Sequence, residues 1–286
     1  MTVGLAQNDR ALGYRPQRTL PLRVEALRQL RRRRTLVIFA VLFAMPFLVL
    51  AALQLGGAQR SADRTTFIAL ATASGPNFAA TMLFMGTGFL LVIPMALFCG
   101  DTVAAEAGWS SLRYLLAAPV PRARLLARKL AVGLLFSTAA IVTLPLVGLG
   151  LGTAVYGWGD LRLPTSGALP ADQALSRLAI AVLFIVLSEL VVGALAFYLS
   201  TAVDNPLGAV GGAVFIAIVT GVLDAITALG SLREWLPAHW QYSWADALQP
   251  QLEVGGMIQG VSLSLSYALI LLALAFRGFA RKDIVS

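Results

Sequence analysis

Apolar residues recur along the chain in six runs, each close to 20 residues long. A helix rises about 1.5 Å per residue, so about 20 residues cross the hydrocarbon layer of a bilayer. Within lipid every backbone amide and carbonyl needs an internal partner, which a helix supplies. The pattern therefore predicts an all-α polytopic membrane protein with six transmembrane helices. The predicted spans are 36–53, 79–98, 130–154, 178–200, 207–228 and 257–276.

The chain before the first span divides into two segments. Residues 1–20 contain turn formers and no apolar period, which predicts a flexible cytoplasmic tail. Residues 21–34 predict an amphipathic helix on the inner leaflet, because four apolar side chains fall roughly on one face with arginines around them. The alternative is an ordinary juxtamembrane anchor. The apolar positions are Leu22, Val24, Leu27 and Leu30.

Composition and charge agree with a membrane protein and orient it. The chain is 58% hydrophobic and 13% charged, where a soluble domain would be about a quarter charged. Of its 22 basic residues, 17 fall before the first predicted span, between spans two and three, or after span six. The positive-inside rule then predicts both termini in the cytoplasm of a bacterial-type inner membrane. The charge is thus explained by topology and anionic lipid. The sequence has no basic stripe with interleaved aromatics, so nucleic-acid binding is not predicted.

Several kinds of chemistry are missing from the sequence. One cysteine, Cys99, and one histidine, His239, exclude an internal disulfide and zinc sites of the multi-His or Cys/His kind. A P-loop needs Gly-Lys-Ser/Thr, but Lys129 precedes Leu and Lys282 precedes Asp. The sequence therefore predicts a non-catalytic membrane subunit without its own cofactor, and any ATP chemistry must come from another chain.

An intramembrane hydrolase is the alternative from another class. The GWGD at residues 157–160 is similar to the Gly-x-Gly-Asp of intramembrane aspartyl proteases, which pair two aspartates to activate water. Here Asp160 lies outside the predicted spans, and Asp224 has no motif around it. A loop turn is the favoured interpretation of this stretch.

Glu189 lies in the middle of the fourth predicted span. A central acid costs roughly 2.5–3.5 kcal/mol on insertion scales. The 14 Leu, Ile, Val and Phe residues of the same span contribute roughly 4–8 kcal/mol of favourable insertion free energy, so the helix still inserts. Such an acid faces a partner or a cavity. Glu189 is therefore predicted to face protein, either as a hydrogen-bonded contact to a neighbouring helix or as a pathway residue.

The segment between spans two and three, residues 101–130, is more than a linker. Apolar side chains at helical spacing share one face, whereas Glu106 and Arg113 lie on another. Pro119 disfavours helix at the residue before it, and Pro121 restarts a helix at its first turn. The pattern predicts a short cytoplasmic helix, a sharp corner and a rigid entry into span three. The apolar positions are Trp109, Leu112 and Leu116.

A bare basic hairpin is the alternative for this segment. It would explain the arginines by the positive-inside rule alone. It would not explain Glu106, Gly108 or the proline corner. The sequence therefore favours a rigid segment whose geometry can transmit a push.

This segment resembles the signature between the second and third spans of ABC-2-type transporter permeases. The likeness is closest to the branch that includes nitrous-oxide-reductase maturation permeases. The chain's close, FRGFARKDI, resembles that family's ending, so the resemblance covers residues 21–286. Trp109-Ser110 departs from the Gly-Thr that relatives often carry. The matching residues are Asp101, Glu106, Gly108, Leu112, Arg113, Pro119, Arg122 and Lys129.

The resemblance implies a six-span permease domain over 21–286 with the type V exporter-like fold. Two copies, as a homodimer or heterodimer, would sit above two separate ATPase subunits that bind ATP and Mg. Residues 101–118 would be the coupling helix, and alternating access would export substrate. Some relatives instead act as accessory membrane subunits in metal-site maturation. The coupling residues carried over are Asp101, Glu106, Gly108, Trp109, Leu112, Arg113, Leu116, Pro119, Arg122 and Lys129.

Overall fold

The structure, a computed structural model, describes residues 22–55, 67–108, 121–164 and 167–281, with side chains only to residue 105 in the second range. The predicted tail, 1–20, lies outside the described residues. The helices are α1 Leu22–Leu30, α2 Arg33–Leu55, α3 Phe67–Ala71, α4 Gly75–Thr87, α5 Val92–Gly108, α6 Arg122–Tyr156, α7 Ala171–Ser188, α8 Leu190–Ala202, α9 Pro206–Ala225 and α10 Gly255–Arg281. Short 3-10 helices cover Thr227–Trp235, Pro237–Trp240 and Ser243–Leu248.

The membrane-spanning helices agree with the predicted runs. Five spans are long and apolar enough to cross a bilayer as single helices: α2, α6, α7 with α8, α9 and α10. The pair α4 and α5 supplies a sixth if its two helices count as one bent span. The prediction of an all-α, multi-pass membrane protein is therefore confirmed. A two-residue hairpin, β1 Leu161–Arg162 paired with β2 Ala168–Leu169, is a small addition.

Two of the predicted spans are interrupted, which the sequence did not predict. The second span bends by 54° between α4 and α5, where the Leu91 amide donates to the Gly86 carbonyl at 3.0 Å. The fourth span has a one-residue interruption at Glu189, which ends α7 and precedes α8. Neither interruption falls at a proline. Both bring polar backbone or side-chain groups into the apolar layer.

The first helix forms the predicted amphipathic segment, but it is shorter. The helix α1 ends at Leu30, and α2 begins at Arg33 after a two-residue turn. Thr35 closes this corner by donating from Oγ1 to the Gln29 carbonyl at 2.6 Å. The apolar side chains of α1 are about half exposed, as expected for a face that meets lipid.

The second half of the predicted proline corner is confirmed. The helix α6 begins directly after Pro121, whose carbonyl accepts from the amides of Arg124 and Leu125. The first half differs from the prediction, because residues 101–108 continue α5 instead of starting a separate helix. Packing explains this: Ser200 of α8 accepts from two α5 amides, at 2.9 and 3.1 Å, beyond the predicted span end. Residues 109–120 lie outside the described residues.

Small residues allow the spans to approach each other closely. At Gly152 of α6, an added Cβ would lie 3.1 Å from the Gly75 Cα of α4. At Gly193 of α8, it would lie 2.8 Å from the Met95 sulfur of α5. Without a hydrophobic driving force between helices in lipid, such close packing is a main source of association. The helix α5 is central, since it contacts α6, α8 and α9.

The loops opposite α1 fold back onto the bundle. Asn77 of α4 donates to the Arg162 carbonyl at 2.9 Å and accepts from the Arg162 amide at 2.8 Å. Asp160 Oδ1 accepts from the Ala171 amide at 3.0 Å, so this aspartate caps α7. The GWGD stretch therefore has the structural role of a loop turn. Trp244 is buried and packs edge-on against Phe84, with ring centroids 6.4 Å apart.

Candidate functional site

The first candidate region is a group of ion pairs at the end of the bundle that carries α1. We name it the basic-end cluster and define it as Glu25, Arg32, Arg34, Asp101 and Lys129. It ties α1 and α2 to α5 and α6, because each ion pair joins one of the first two helices, or the turn between them, to a later helix. This end also contains the termini that flank residues 109–120.

Asp101 is the centre of the basic-end cluster. Its residue is 4% exposed, and each carboxylate oxygen accepts from one guanidinium. Arg32 Nη1 lies 2.7 Å from Oδ2, and Arg34 Nη1 lies 2.6 Å from Oδ1. Charge-assisted hydrogen bonds of this length are among the strongest in proteins. They offset part of the cost of burying the carboxylate and fix the start of α2 against α5.

Lys129 forms the second link. Its ammonium is buried near the start of α6 and lies 3.1 Å from Glu25 Oε1 of α1. Arg122, about two helical turns further out, donates to the Ala280 carbonyl of α10 at 3.2 Å. The first turns of α6 therefore contact both the beginning and the end of the chain. Both ends of the described chain lie on the same side of the bundle.

The predicted coupling residues are thus only partly described. Asp101, Arg122 and Lys129 come together at one end of the bundle, and Gly108 is the last residue of α5. Their coupling role stays a prediction. Asp101 and Lys129 are buried, so they would act on a partner only through neighbouring residues. The remaining predicted coupling side chains lie outside the described side chains: Glu106, Trp109, Leu112, Arg113, Leu116 and Pro119.

The second candidate region surrounds Glu189. The residue is 6% exposed, so the expectation that it faces protein is confirmed. Its Oε2 atom is buried and has no hydrogen-bond partner among the described residues. It lines a space of about 80 Å³, which we name the Glu189 cavity. The bend at Gly88 and Val92 lines the other side, so both span interruptions meet here.

The Glu189 cavity is closed from one side by the 3-10 helix Pro237–Trp240 and the residue after it, Gln241. This segment is held to the end of α9 by Asp224, whose Oδ1 lies 2.7 Å from His239 Nδ1. The same oxygen accepts from Arg233 Nε at 3.3 Å. Asp224 therefore anchors the segment that covers the cavity, which gives it a structural role.

Sequence reasoning missed several residues of both regions. Arg32 and Arg34 were counted only as topology signals, because their partner Asp101 lies 69 and 67 positions away along the chain. Glu25 was a usable signal, because it is the one acid among the arginines of residues 21–34. The residues that cover the Glu189 cavity are distant in sequence and carry no motif, so no sequence signal could have found them.

The helices and their apolar lengths define a multi-pass α-helical membrane protein. The family described as protein of unknown function (DUF2705) matches residues 37–285, and the chain belongs to this family. That range includes the spanning helices, apart from the first four residues of α2, and the candidate regions apart from Glu25, Arg32 and Arg34. Among curated proteins, none matches the chain.

Proposed function

We propose that this chain is the transmembrane permease subunit of an ATP-binding cassette exporter, driven by a separate ATPase. The observation that carries the proposal is the arrangement around residues 109–120. The helices on either side, α5 and α6, both extend to the basic end and are tied there by Asp101 and Lys129. A force on the intervening segment would therefore reach two long spans directly.

The proposal also includes the orientation of the chain. Both described ends lie at the arginine-rich end of the bundle, which supports an N-in, C-in topology in a bacterial-type cytoplasmic membrane. Residues 109–120 would then face the cytoplasm, where a soluble ATPase can reach them. The resemblance of this segment to ABC-2-type coupling sequences supports that partner, with two ATPase copies and a permease dimer in the full assembly.

The coupling segment is tested by three variants in the full chain. Glu106→Arg and Trp109→Ala should leave the protein inserted while the ATPase is lost on purification and coupled transport stops. Loss of one aromatic anchor costs about 2 kcal/mol or more at such interfaces, which is more than tenfold in affinity. Arg124→Ala, on the first turns of α6, is the control and should change recovery little.

The readout is a co-purified protein that carries a P-loop and hydrolyses ATP, measured against the amount of the chain recovered. Wild-type recovery and transport with both Glu106→Arg and Trp109→Ala would contradict the proposal. A captured protein without ATPase activity would contradict it as well, because the chain has no P-loop of its own.

The orientation is tested separately with single cysteines in a Cys99→Ala background. Cys99 is buried, so its removal lowers the background without changing the surface. Cysteines at Ser61, Ser166 and Ser243 should react with a membrane-impermeant maleimide from outside intact cells. A cysteine at Ser111 should react only after the cells are opened. Labelling at position 111 in intact cells would overturn the N-in, C-in orientation.

A further inference from the structure

A carboxylate without a partner is costly in a membrane interior. Glu189 Oε2 is buried and receives no hydrogen bond from the described residues. The residues that line the Glu189 cavity include no Lys, Arg or His. A buried charge without a counter-charge is not tolerated in an apolar medium, so the group takes up a proton or binds a cation.

The neighbouring hydroxyl groups favour a ligand that donates hydrogen bonds. Ser188 and Thr220 both line the Glu189 cavity. Ser188 Oγ donates to the Ile185 carbonyl at 3.0 Å, and Thr220 Oγ1 donates to the Ala217 carbonyl at 2.8 Å. Each hydroxyl proton is thus used within its own helix, and only oxygen lone pairs remain for the cavity. Glu189, Ser188 and Thr220 thus offer acceptors, and the Gln241 amide, which also lines the cavity, adds one more acceptor and two N–H donors.

Size and apolar lining further restrict the ligand. The Glu189 cavity has a volume of about 80 Å³, and on this measure one water needs about 10–15 Å³, so a ligand of several heavy atoms fits. Apolar side chains make up most of the remaining wall, on both sides of the carboxyl group. A strongly hydrated metal ion is disfavoured here, because the cavity offers too few oxygen ligands to replace its hydration shell. The apolar residues are Val92, Val191, Val192, Leu195 and Ile216.

We propose that the Glu189 cavity binds the ammonium group of a small apolar amine. The three N–H groups of a primary ammonium match the Glu189 carboxylate and the hydroxyl oxygens of Ser188 and Thr220. The short alkyl part contacts the valine and isoleucine side chains. The 3-10 helix Pro237–Trp240 covers the bound amine, and Asp224 holds this cover in place. This site does not depend on an ATPase partner and goes beyond the permease proposal.

The site is tested with the full chain in lipid nanodiscs and n-propylammonium as the probe. The melting temperature is followed as the probe is added at constant ionic strength. We expect a saturable rise with n-propylammonium, because a ligand of the folded state stabilises it. The neutral 1-propanol, of nearly the same shape, should give no saturable rise. Sodium chloride at equal concentration should give none either.

Two variants assign the effect to the Glu189 cavity. Glu189→Gln should raise the half-saturating concentration of n-propylammonium by about tenfold or more, the loss expected for a charge-assisted hydrogen bond. Thr220→Val, which keeps the side-chain shape, should raise it by about threefold, as expected for a neutral hydrogen bond. Thr143→Val on α6 is the matched control. Its Oγ1 donates to the Ala139 carbonyl in the same way, but it does not line the cavity.

Each outcome decides the proposal. Equal responses to n-propylammonium and 1-propanol would overturn it, as would an unchanged response in Glu189→Gln. An equal response to sodium would replace the amine with an inorganic cation and also overturn it. Should Glu189→Gln fail to fold, Thr220→Val against Thr143→Val still decides. Equal half-saturating concentrations in that pair would reject the site. No response of the wild-type protein would leave Glu189 as a protonated acid and reject it too.

Discussion

Asp101 and Glu189 are buried to nearly the same degree, with 4% and 6% of each residue exposed, yet their surroundings are opposite. Both oxygens of Asp101 accept hydrogen bonds from guanidinium groups, and Lys129 lies close enough to attract the same carboxylate. Glu189 has a buried oxygen without a described partner and no cationic side chain along its cavity. Burial alone therefore does not tell what a buried acid does.

This difference indicates that Asp101 stabilises the fold, whereas Glu189 is available to bind a ligand. The Asp101 pairs join the start of α2 and the corner before it to α5 at the basic end of the bundle, so their loss should cost stability. Glu189 makes no described contact that its charge would strengthen. Its loss should therefore cost little stability and remove an interaction with something outside the chain. Four measurements of unfolding test this comparison.

The largest effect is expected from the double variant Arg32→Gln with Arg34→Gln. It leaves the Asp101 carboxylate buried without a guanidinium partner, and breaking a buried pair in this way costs about 3–5 kcal/mol. We expect about 3 kcal/mol, the lower end, because Arg34 is 60% exposed. The measurement is the free energy of unfolding in mixed detergent micelles. Arg31→Gln with Arg33→Gln, from the same arginine run, is the matched control and should change it little.

The next effect in size is expected from Asp101→Asn. The change keeps the side-chain shape and removes the charge, while both arginines remain near enough to water to stay solvated. The loss should be about 1.5–3 kcal/mol, as expected for charge-assisted hydrogen bonds. Added to the double arginine variant, Asp101→Asn should lower stability by much less than it does alone, because the partners share one interaction. Additive losses would contradict the pairing.

A smaller effect is expected from Asp224→Ala. Its pairs with Arg233 and His239 are partly exposed, and such pairs contribute about 0–1 kcal/mol. The effect on local hydrogen exchange should be clearer than the effect on the global free energy of unfolding. Hydrogen exchange at residues 237–241 should become faster, because the cover of the Glu189 cavity loses its anchor. Unchanged exchange in this segment would show that the anchor lies elsewhere.

The smallest effect on stability is expected from Glu189→Gln. The neutral amide removes the desolvation cost of the acid, so the free energy of unfolding should stay within about 0.5 kcal/mol of wild type or rise, as for a substitution that breaks no partner. The same mixed-micelle unfolding assay measures it. A loss of more than about 1 kcal/mol, the usual contribution of a net hydrogen bond, would reveal a structural partner for the carboxylate. The contrast with Asp101 would then disappear.

The spans could be predicted from the sequence because a single property, apolar length, determines them. Pro121 also predicted the start of α6 correctly, because its missing amide and fixed φ suit a first helical turn. Prolines were a poor guide elsewhere: Pro46 and Pro145 lie inside continuous helices, whereas the interruption at Glu189 has no proline. Neighbouring helices decide where a span is interrupted, and one sequence does not show them.

The candidate regions were predictable only in part for the same reason. Glu189 stood out by residue type alone, since charges inside membrane spans are rare, whereas Asp101 and Lys129 were selected through the resemblance to ABC-2-type permeases. Their surroundings depend on contacts between residues 67 to 104 positions apart in the basic-end cluster. The Glu189 cavity joins the bend at Gly88, the helices α5, α7, α8 and α9, and a later loop. Such distant pairs carry no periodic pattern.

The length of α6 has a mechanical consequence. Its 35 residues make a rod about 52 Å long, whereas the hydrocarbon layer is about 30 Å thick. A rod that extends so far beyond the bilayer acts as a lever: a tilt of about 10° about one end moves the other by about 9 Å at a rise of about 1.5 Å per residue. Because Lys129 and Arg122 join its first turns to α1 and α10, such a tilt would pull both ends of the chain along the membrane surface.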